Sequence, residues 1–295
     1  METDVASITR LTAGVDWLTV TVKDWDKRDR MKGEIDRIFE RERGRGLAGS
    51  RWSFKGYAGL RMNGTRWGTR FDSDICMLSG SDACINWPAF LAMSGNVTRL
   101  DLAVTVELCQ PIANLAKICY DYILEERRAA LSSNWRQYTY YENTNGGQTL
   151  YVGSRASDQY GRLYDKAAEQ EMSDHIAKLW RYEIEFKTPR SQTVADGLWQ
   201  RSKAGGDVAG SIARTVELWF EGRDIPVIFE NAGDALATEV TATVQSNDTT
   251  LNWLSTQVRP ALQRLRSQGL IVEALTALGI EDAAWWLVDT LPDGI

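Results

Sequence analysis

Across 295 residues the charged fraction is 25% and the hydrophobic fraction 43%, the proportions of a folded chain long enough to bury a substantial core. No apolar run reaches the length of a membrane span, and the N-terminal METDVASITR has no signal-peptide core, so the expected setting is the cytoplasm, with no membrane partner. Cys76, Cys84, Cys109 and Cys119 show no CxxC spacing, and His175 is the single histidine, which argues against a Cys/His zinc site or a papain-like pair and for reduced thiols.

The net charge of −6 is unevenly spread. Residues 217–295 hold 12 acids and 4 bases, a net of −8, whereas residues 1–216 carry a net of +2. Within 41–70 eight bases face one acid, Glu42, and are interleaved with Trp52, Phe54, Tyr57 and Trp67. Two readings fit this window: a surface that grips phosphates and stacks bases, or a solvated β-hairpin whose aromatics turn to the core.

In chain order, the alternating VDWLTVTV of Val15–Val22 predicts an opening strand, and Met31, Ile35, Ile38 and Phe39 fall at helical spacing within a helix from Asp26 to Arg43. Arg51–Arg70 reads as one or two glycine-punctuated hairpins and Ile75–Leu78 as a short strand. Helices are expected over Ala83–Met93 and over Ile112 to about Ala130, on either side of a strong strand, VTRLDLAVTVEL, that begins at Asn96. Arg136–Tyr141, Thr149–Gly153 and Arg162–Lys166 read as strands, with Asn145-Gly146-Gly147 as the turn between the first two. A helical passage over Ala167–Lys178 leads to the strand Trp180–Lys187. Helices are then expected at Thr193–Lys203, Val208–Glu221, Leu251–Gln268 and Leu270–Leu278, with a polar connector over Glu230–Thr250. The resulting class is α+β: an open antiparallel sheet with helices packed on one face, then a helical C-terminal region.

Strand periodicity sorts the polar candidates by face. Arg99, Asp101, Ala103, Thr105 and Glu107 share one face of their strand, as do Arg181, Glu183, Glu185 and Lys187 of theirs. If the two strands are neighbours, Asp101, Glu183 and Glu185 converge on a site of oxygen ligands suited to Mg²⁺ or Mn²⁺. The same alternation also describes an ordinary half-solvated strand.

Tyr164 is expected on one face with Arg162 and Lys166. As a nucleophile near neutral pH it needs a metal to polarise a phosphate and nearby cations to favour its phenolate. It is equally one of ten tyrosines, any of which can be a structural strand residue. Ser154 and Arg155 lie in a glycine-containing turn that can cradle a phosphate. Asp16 and Trp17 read either as a polar edge of the site or as a strand start, and His175 as a surface residue.

NVTRLDLAVTVEL, TLYVGSRASDQYGRLYDKAAEQ and LWRYEIEFK, in this order and spacing, resemble the core of the replication initiation factor family, and GVDWLTVTV and ICMLSGSDAC resemble its early strands. The resemblance spans roughly residues 14–220. It implies an HUH-like sheet in which acidic residues replace the paired metal-binding histidines. It also implies metal-dependent nicking of one DNA strand at an origin, with a covalent 5′-phosphotyrosyl intermediate that is later religated.

By the same resemblance Tyr164 is the nucleophile, assisted by Arg162 and Lys166. Asp101, Glu183 and Glu185 match the acidic ligands for Mg²⁺ or Mn²⁺. Some relatives carry a second aspartate where this chain has Thr105. Arg155, Arg181, Arg61, Arg66 and Lys55 are the candidate DNA contacts.

The expected division is a DNA-nicking domain over 1–220 and an acidic, mainly helical region over 221–295. The expected partners are single-stranded or hairpin origin DNA, a host helicase or other replication protein, and a second copy of the chain. The alternatives are a relaxase for conjugative or mobilised transfer, a non-catalytic DNA-binding regulator of a mobile element, and a hydrolytic metal nuclease.

Overall fold

The computed structural model of the chain describes residues 8–130, 138–144, 146–172, 177–231, 233–238, 263–265 and 267–270. The chain divides into two compact units, Met1–Glu239 and Val240–Ile295. In the second unit residues 263–265 and 267 are helical, within the helix expected at Leu251–Gln268. The rest of that helix and residues 271–278 of the next lie outside the described residues, as do His175 and residues 239–250 of the expected connector.

The first unit is built on one ten-stranded sheet in which every paired neighbour is antiparallel. Its strands are β1 (Ile8–Val22), β2 (Ser50–Phe54), β3 (Tyr57–Met62), β4 (Thr65–Arg70), β5 (Ser73–Ser79), β6 (Asn96–Leu108), β7 (Tyr138–Glu142), β8 (Gln148–Val152), β9 (Gln159–Asp165) and β10 (Leu179–Lys187). They lie in the order β2-β3-β4-β5-β1-β6-β10-β9-β8-β7. The helices are α1 (Trp25–Gly44), α2 (Ser81–Leu91), α3 (Leu115–Ala130), α4 (Lys166–Glu169), α5 (Arg190–Lys203) and α6 (Val208–Glu221).

The two-residue period of the strands decides where the core sits. Leu18, Val20 and Val22 of β1, Leu100, Leu102, Val104 and Val106 of β6, and Trp180, Tyr182, Ile184 and Phe186 of β10 are all buried. They form one cluster with the apolar stripes of α1 (Met31, Ile35, Ile38), α5 (Val194, Leu198) and α6 (Ile212, Val216, Phe220). The helices therefore cover one face of the sheet and leave the polar face of β6 and β10 to the other side.

Local capping agrees with this arrangement. Asp24 and Asp207 accept from the backbone N–H groups of Lys27 (3.2 Å) and Gly210 (2.9 Å) at the starts of α1 and α6. The buried Arg28 of α1 braces the β4–β5 turn, donating to Asp74 Oδ1 (2.9 Å), to Thr69 Oγ1 (3.0 Å) and to the carbonyls of Arg70 and Phe71.

Two local expectations change. The Arg51–Arg70 window forms three strands that continue into β5, because positive-φ residues Lys55, Gly56 and Asn63 turn the chain between them. The helix expected over Ala167–Lys178 is a single turn, α4, within the described residues. Its cap is Asp165, whose Oδ1 accepts from Ala168 N at 3.0 Å, so Lys166 opens a helix rather than ending a strand. Between β7 and β8 the chain reverses through Gly146 at φ +79, as the Gly-Gly pair predicts.

β9 is seated through Gly161. A Cβ there would stand 2.3 Å from the Trp219 ring of α6, so only glycine lets the helix approach this closely. Gly161→Ala is expected to lower stability by about 1–3 kcal/mol through overpacking. An unchanged urea-denaturation midpoint would show that α6 does not press on β9.

Candidate active site

Antiparallel register carries the polar residues of β1, β6, β10, β9 and β8 into rows across the uncovered face. In one row Trp17 pairs with Asp101, Asp101 with Glu185, and Glu185 with Tyr160. In the next Ala103 pairs with Glu183, Glu183 with Arg162, and Arg162 with Tyr151. In the third Thr105 pairs with Arg181, Arg181 with Tyr164, and Tyr164 with Thr149. Asp101, Glu183, Glu185, Arg162, Tyr164 and Arg181 thus share one face of three adjacent strands.

Tyr164 is buried and donates its hydroxyl proton to Glu183 Oε2 at 3.1 Å. The other oxygen of Glu183 takes a close charge-assisted bond from Arg162 Nη2. Burial, then the charge of Glu183, push the Tyr164 hydroxyl well above its ordinary pKa, against the opposing effect of Arg181. Burial works against the charge of Arg162, but Glu183, Tyr164 and Asp101 together outweigh it and the guanidinium's pKa rises.

In this arrangement the two cations expected to favour the Tyr164 phenolate are each bonded to a carboxylate. Arg162 is spent on Glu183, and Lys166, with its ammonium 5.6 Å from the Tyr164 ring centre, is bonded to Glu169. Tyr164 rests as a neutral phenol whose proton already points at a carboxylate.

The other acids are paired as well. Arg99 donates to Asp101 through Nε (2.9 Å) and Nη2 (2.5 Å), and its Nη2 also lies 3.0 Å from Glu185 Oε2. Lys187 Nζ is 3.2 Å from the other oxygen of Glu185. Arg181 bonds Asp16 Oδ1 (2.7 Å) and Thr105 Oγ1 (2.9 Å). Asp16 is the extra residue where β1 shifts register against β6, and the bulge turns it toward Arg181. Thr105 Oγ1 is the hydrogen-bond acceptor at its place in the row.

Asp101 is only 1% exposed. Burial, opposed by Arg99 and reinforced by the charges of Glu183 and Glu185, raises its pKa to about 7. These carboxylates have the donor chemistry of a hard divalent cation. Among the described residues, however, no three Asp, Glu, His or Cys side chains gather into a metal-holding cluster. Arg99 lies between Asp101 and Glu185, while Glu183 is turned to Tyr164.

A cavity of about 170 Å³ opens beside the nucleophile candidate, lined by Asn143, Gln148, Thr149, Tyr151, Arg162, Tyr164 and Glu169 among others. The remaining candidates are more distant in the sheet. Arg61 and Arg66 pair with each other across β3 and β4, Lys55 is in the β2–β3 turn, and Arg155 is in the β8–β9 turn against Tyr160 (3.4 Å). Sequence reasoning missed Arg99 as the bridge between two acids, and it missed Tyr151 and Tyr160 beside Arg162. The period-two pattern of β8 and β9 held that signal, but only the pairing of the two strands brings it out.

The family model for replication initiation factors matches residues 95–272, more than half of the chain and the whole of β6, β9 and β10. Among solved structures, the rolling circle replication initiator protein from Geobacillus stearothermophilus is similar at 20% identity. That alignment covers 77% of this chain and 93% of the other, with a TM-score of 0.48. No curated protein matches the chain in a sequence search. The matched region contains the strands that carry Asp101, Tyr164 and Glu183, and the chain belongs to the replication initiation factor family.

Proposed function

We propose that this protein initiates rolling-circle replication by nicking one strand of origin DNA through Tyr164. The observation that carries this reading is the hydrogen bond from the buried Tyr164 hydroxyl to Glu183, beside Arg162 and at the wall of an open cavity. A phenol that is neutral at rest needs a base at the moment of attack, and Glu183 is within hydrogen-bond reach.

The phenolic oxygen attacks the scissile phosphorus while its proton passes to Glu183. The bond from phosphorus to the 3′ oxygen breaks, and that oxygen takes up a proton from solvent water to leave a free 3′-OH. The 5′ phosphate stays on Tyr164 as a phosphodiester, which conserves the bond for religation by the reverse step. Arg162 loses part of its partner's charge as Glu183 is protonated, and its guanidinium becomes available to the phosphate.

Asp101 and Glu185, with Glu183 adjacent, are the residues that would hold Mg²⁺ or Mn²⁺. When bound, the ion supplies positive charge to the scissile phosphate. Arg181 stays bonded to Asp16 and Thr105 and orients the Tyr164 side of the row. Arg61, Arg66, Lys55 and Arg155 contact the DNA backbone outside this centre. The protein works on DNA in the cell interior, and among the described residues no helix is long and apolar enough to cross a membrane.

Three measurements test the reading. Wild-type protein incubated with a single-stranded origin oligonucleotide and Mn²⁺ is expected to yield a denaturation-resistant protein–DNA adduct that Tyr164→Phe abolishes. Wild type without an adduct, whether it cleaves or not, or an undiminished adduct in the variant, sinks the assignment. Glu183→Gln is expected to slow adduct formation by about 10²–10⁴-fold, the usual worth of general base catalysis.

Cation binding requires deprotonated carboxylates, and Asp101 in the metal-free chain titrates at about 7. Mn²⁺ affinity measured calorimetrically should therefore tighten by about tenfold from pH 6 to pH 8 and level off above. Asp101→Asn should flatten that dependence. Neutralising Arg61 and Arg66 together should reduce the salt slope of single-strand binding by about 1.4, at about 0.7 per phosphate contact. An unchanged slope would remove β3 and β4 from the DNA interface.

A further inference from the structure

The arginines of the central rows are all committed to carboxylates, but those on the two flanks are not. Arg66 of β4 lies with its guanidinium carbon 5.3 Å from the centre of the Trp17 ring, and Arg99 approaches the same ring at 4.5 Å. On the other flank Arg155 stands over Tyr151 (5.6 Å) and Tyr160 (5.7 Å), whose own rings are stacked at 5.7 Å with 19° between planes. Tyr141 closes on Tyr151 edge-on at 5.6 Å. Among the described residues neither Arg66 nor Arg155 is paired with a carboxylate, so each keeps its charge for an outside anion.

Register ties the flanks together. Trp17, Asp101, Glu185 and Tyr160 are consecutive partners in one row across β1, β6, β10 and β9. Trp17, half-buried, ends the row on one side and the buried Tyr160 on the other, with the half-buried Tyr151 stacked on it, and the acids lie between. With neighbouring strands about 4.8 Å apart the ends are separated by about 14 Å. At about 3.4 Å per stacked nucleotide this is the span of about four nucleotides.

An aromatic ring beside an unpaired guanidinium is the chemistry that holds single-stranded nucleic acid. The ring takes a base face whatever its identity, and the cation takes the adjoining phosphate. We infer that the polar sheet face is a single-strand track running across the strands, with one base-stacking platform at Trp17–Arg66 and a second at Tyr151–Arg155, where the buried Tyr160 backs the Tyr151 ring, so that the scissile nucleotide is held over the acidic centre. This rests on the nicking reading for what happens at the centre, but the track itself makes its contacts before any bond is broken. Because the platforms read base faces rather than edges, they position the strand without choosing its sequence. Sequence choice at the origin then belongs to other contacts.

The test uses the full chain in EDTA, with fluorescein-labelled single-stranded oligo(dT) of 20 nucleotides and an abasic strand of the same length. Wild type is expected to bind the dT strand about a hundredfold more tightly than the abasic one, about tenfold from each platform. Trp17→Ala and Tyr151→Ala are each expected to weaken dT binding by about tenfold and leave abasic binding unchanged. Trp17→Phe and Tyr151→Phe, which keep a ring and guard against loss of the fold, are expected to bind nearly as wild type. Arg66→Ala and Arg155→Ala should weaken both strands alike. Equal wild-type affinity for the two strands, or alanine variants that weaken both equally, overturns the track. The contrast needs no cleavage, whereas the nicking assignment is decided by the Mn²⁺-dependent adduct, so the two can fail separately.

Discussion

The register of β10 between β6 and β9 is the constraint on which this structure depends. It sets Glu183 opposite Arg162 and next to the row of Tyr164, and it sets Glu185 opposite Asp101. A slip of one residue would turn Arg181, Glu183 and Glu185 into the core and bring Tyr182, Ile184 and Phe186 to the polar face. Such a slip is prevented by the opposite side of the same strand. Those apolar residues are fully buried against α6 and the core, where Tyr182 meets Phe220 and Phe229 edge-on at 5.1 and 5.4 Å. The hydrophobic face and the chemical face are therefore one decision, made by period-two alternation and enforced by the core.

The electrostatics follow from that placement. Ordinarily a buried carboxylate is tolerated only with partners, and here each acid of the centre has at least one cationic partner. The partners also make the resting state quiet, since Tyr164 stays protonated and Arg162 stays on Glu183. Asp101 is the exception, because burial and two neighbouring acids leave it with a pKa of about 7 despite Arg99. Each of these acid–arginine pairs is one that an added cation would break by taking the acid, and a phosphate by taking the arginine.

Away from the centre the same face changes character. Arg66 and Arg155 lean on aromatic rings rather than acids, and Arg61 is held by Ser50 Oγ at 2.9 Å. In the basic window of residues 41–70 the aromatics divide, with Tyr57 buried and Phe54 exposed. Met62 joins the helix-covered core, while Tyr57, on the same side of β3 as Arg61, is buried against Arg70 and Ser73. A bulge in β1, a glycine under α6 and a one-turn helix after β9 are small irregularities that aim Asp16, seat β9 and end the strand just beyond Tyr164.

Much of this was legible in the chain itself. Alternation over Asn96–Leu108 and Leu179–Lys187 assigned Asp101, Glu183 and Glu185 to polar strand faces, and helical spacing located α1, α5 and α6, because these are local periodicities set by backbone geometry. The order of three motifs identified the family. What no local pattern contains is which strand lies beside which. The order β1-β6-β10-β9-β8 joins segments distant in sequence, and it alone brings Arg99 between two acids, Tyr164 onto Glu183, and Trp17 and Tyr160 to opposite ends of one row. The ionisation state of the centre was equally out of reach, since burial and through-space charge have no sequence spacing. Sequence determined the faces; tertiary pairing decided which faces meet, because strand neighbours are chosen by the core they jointly bury.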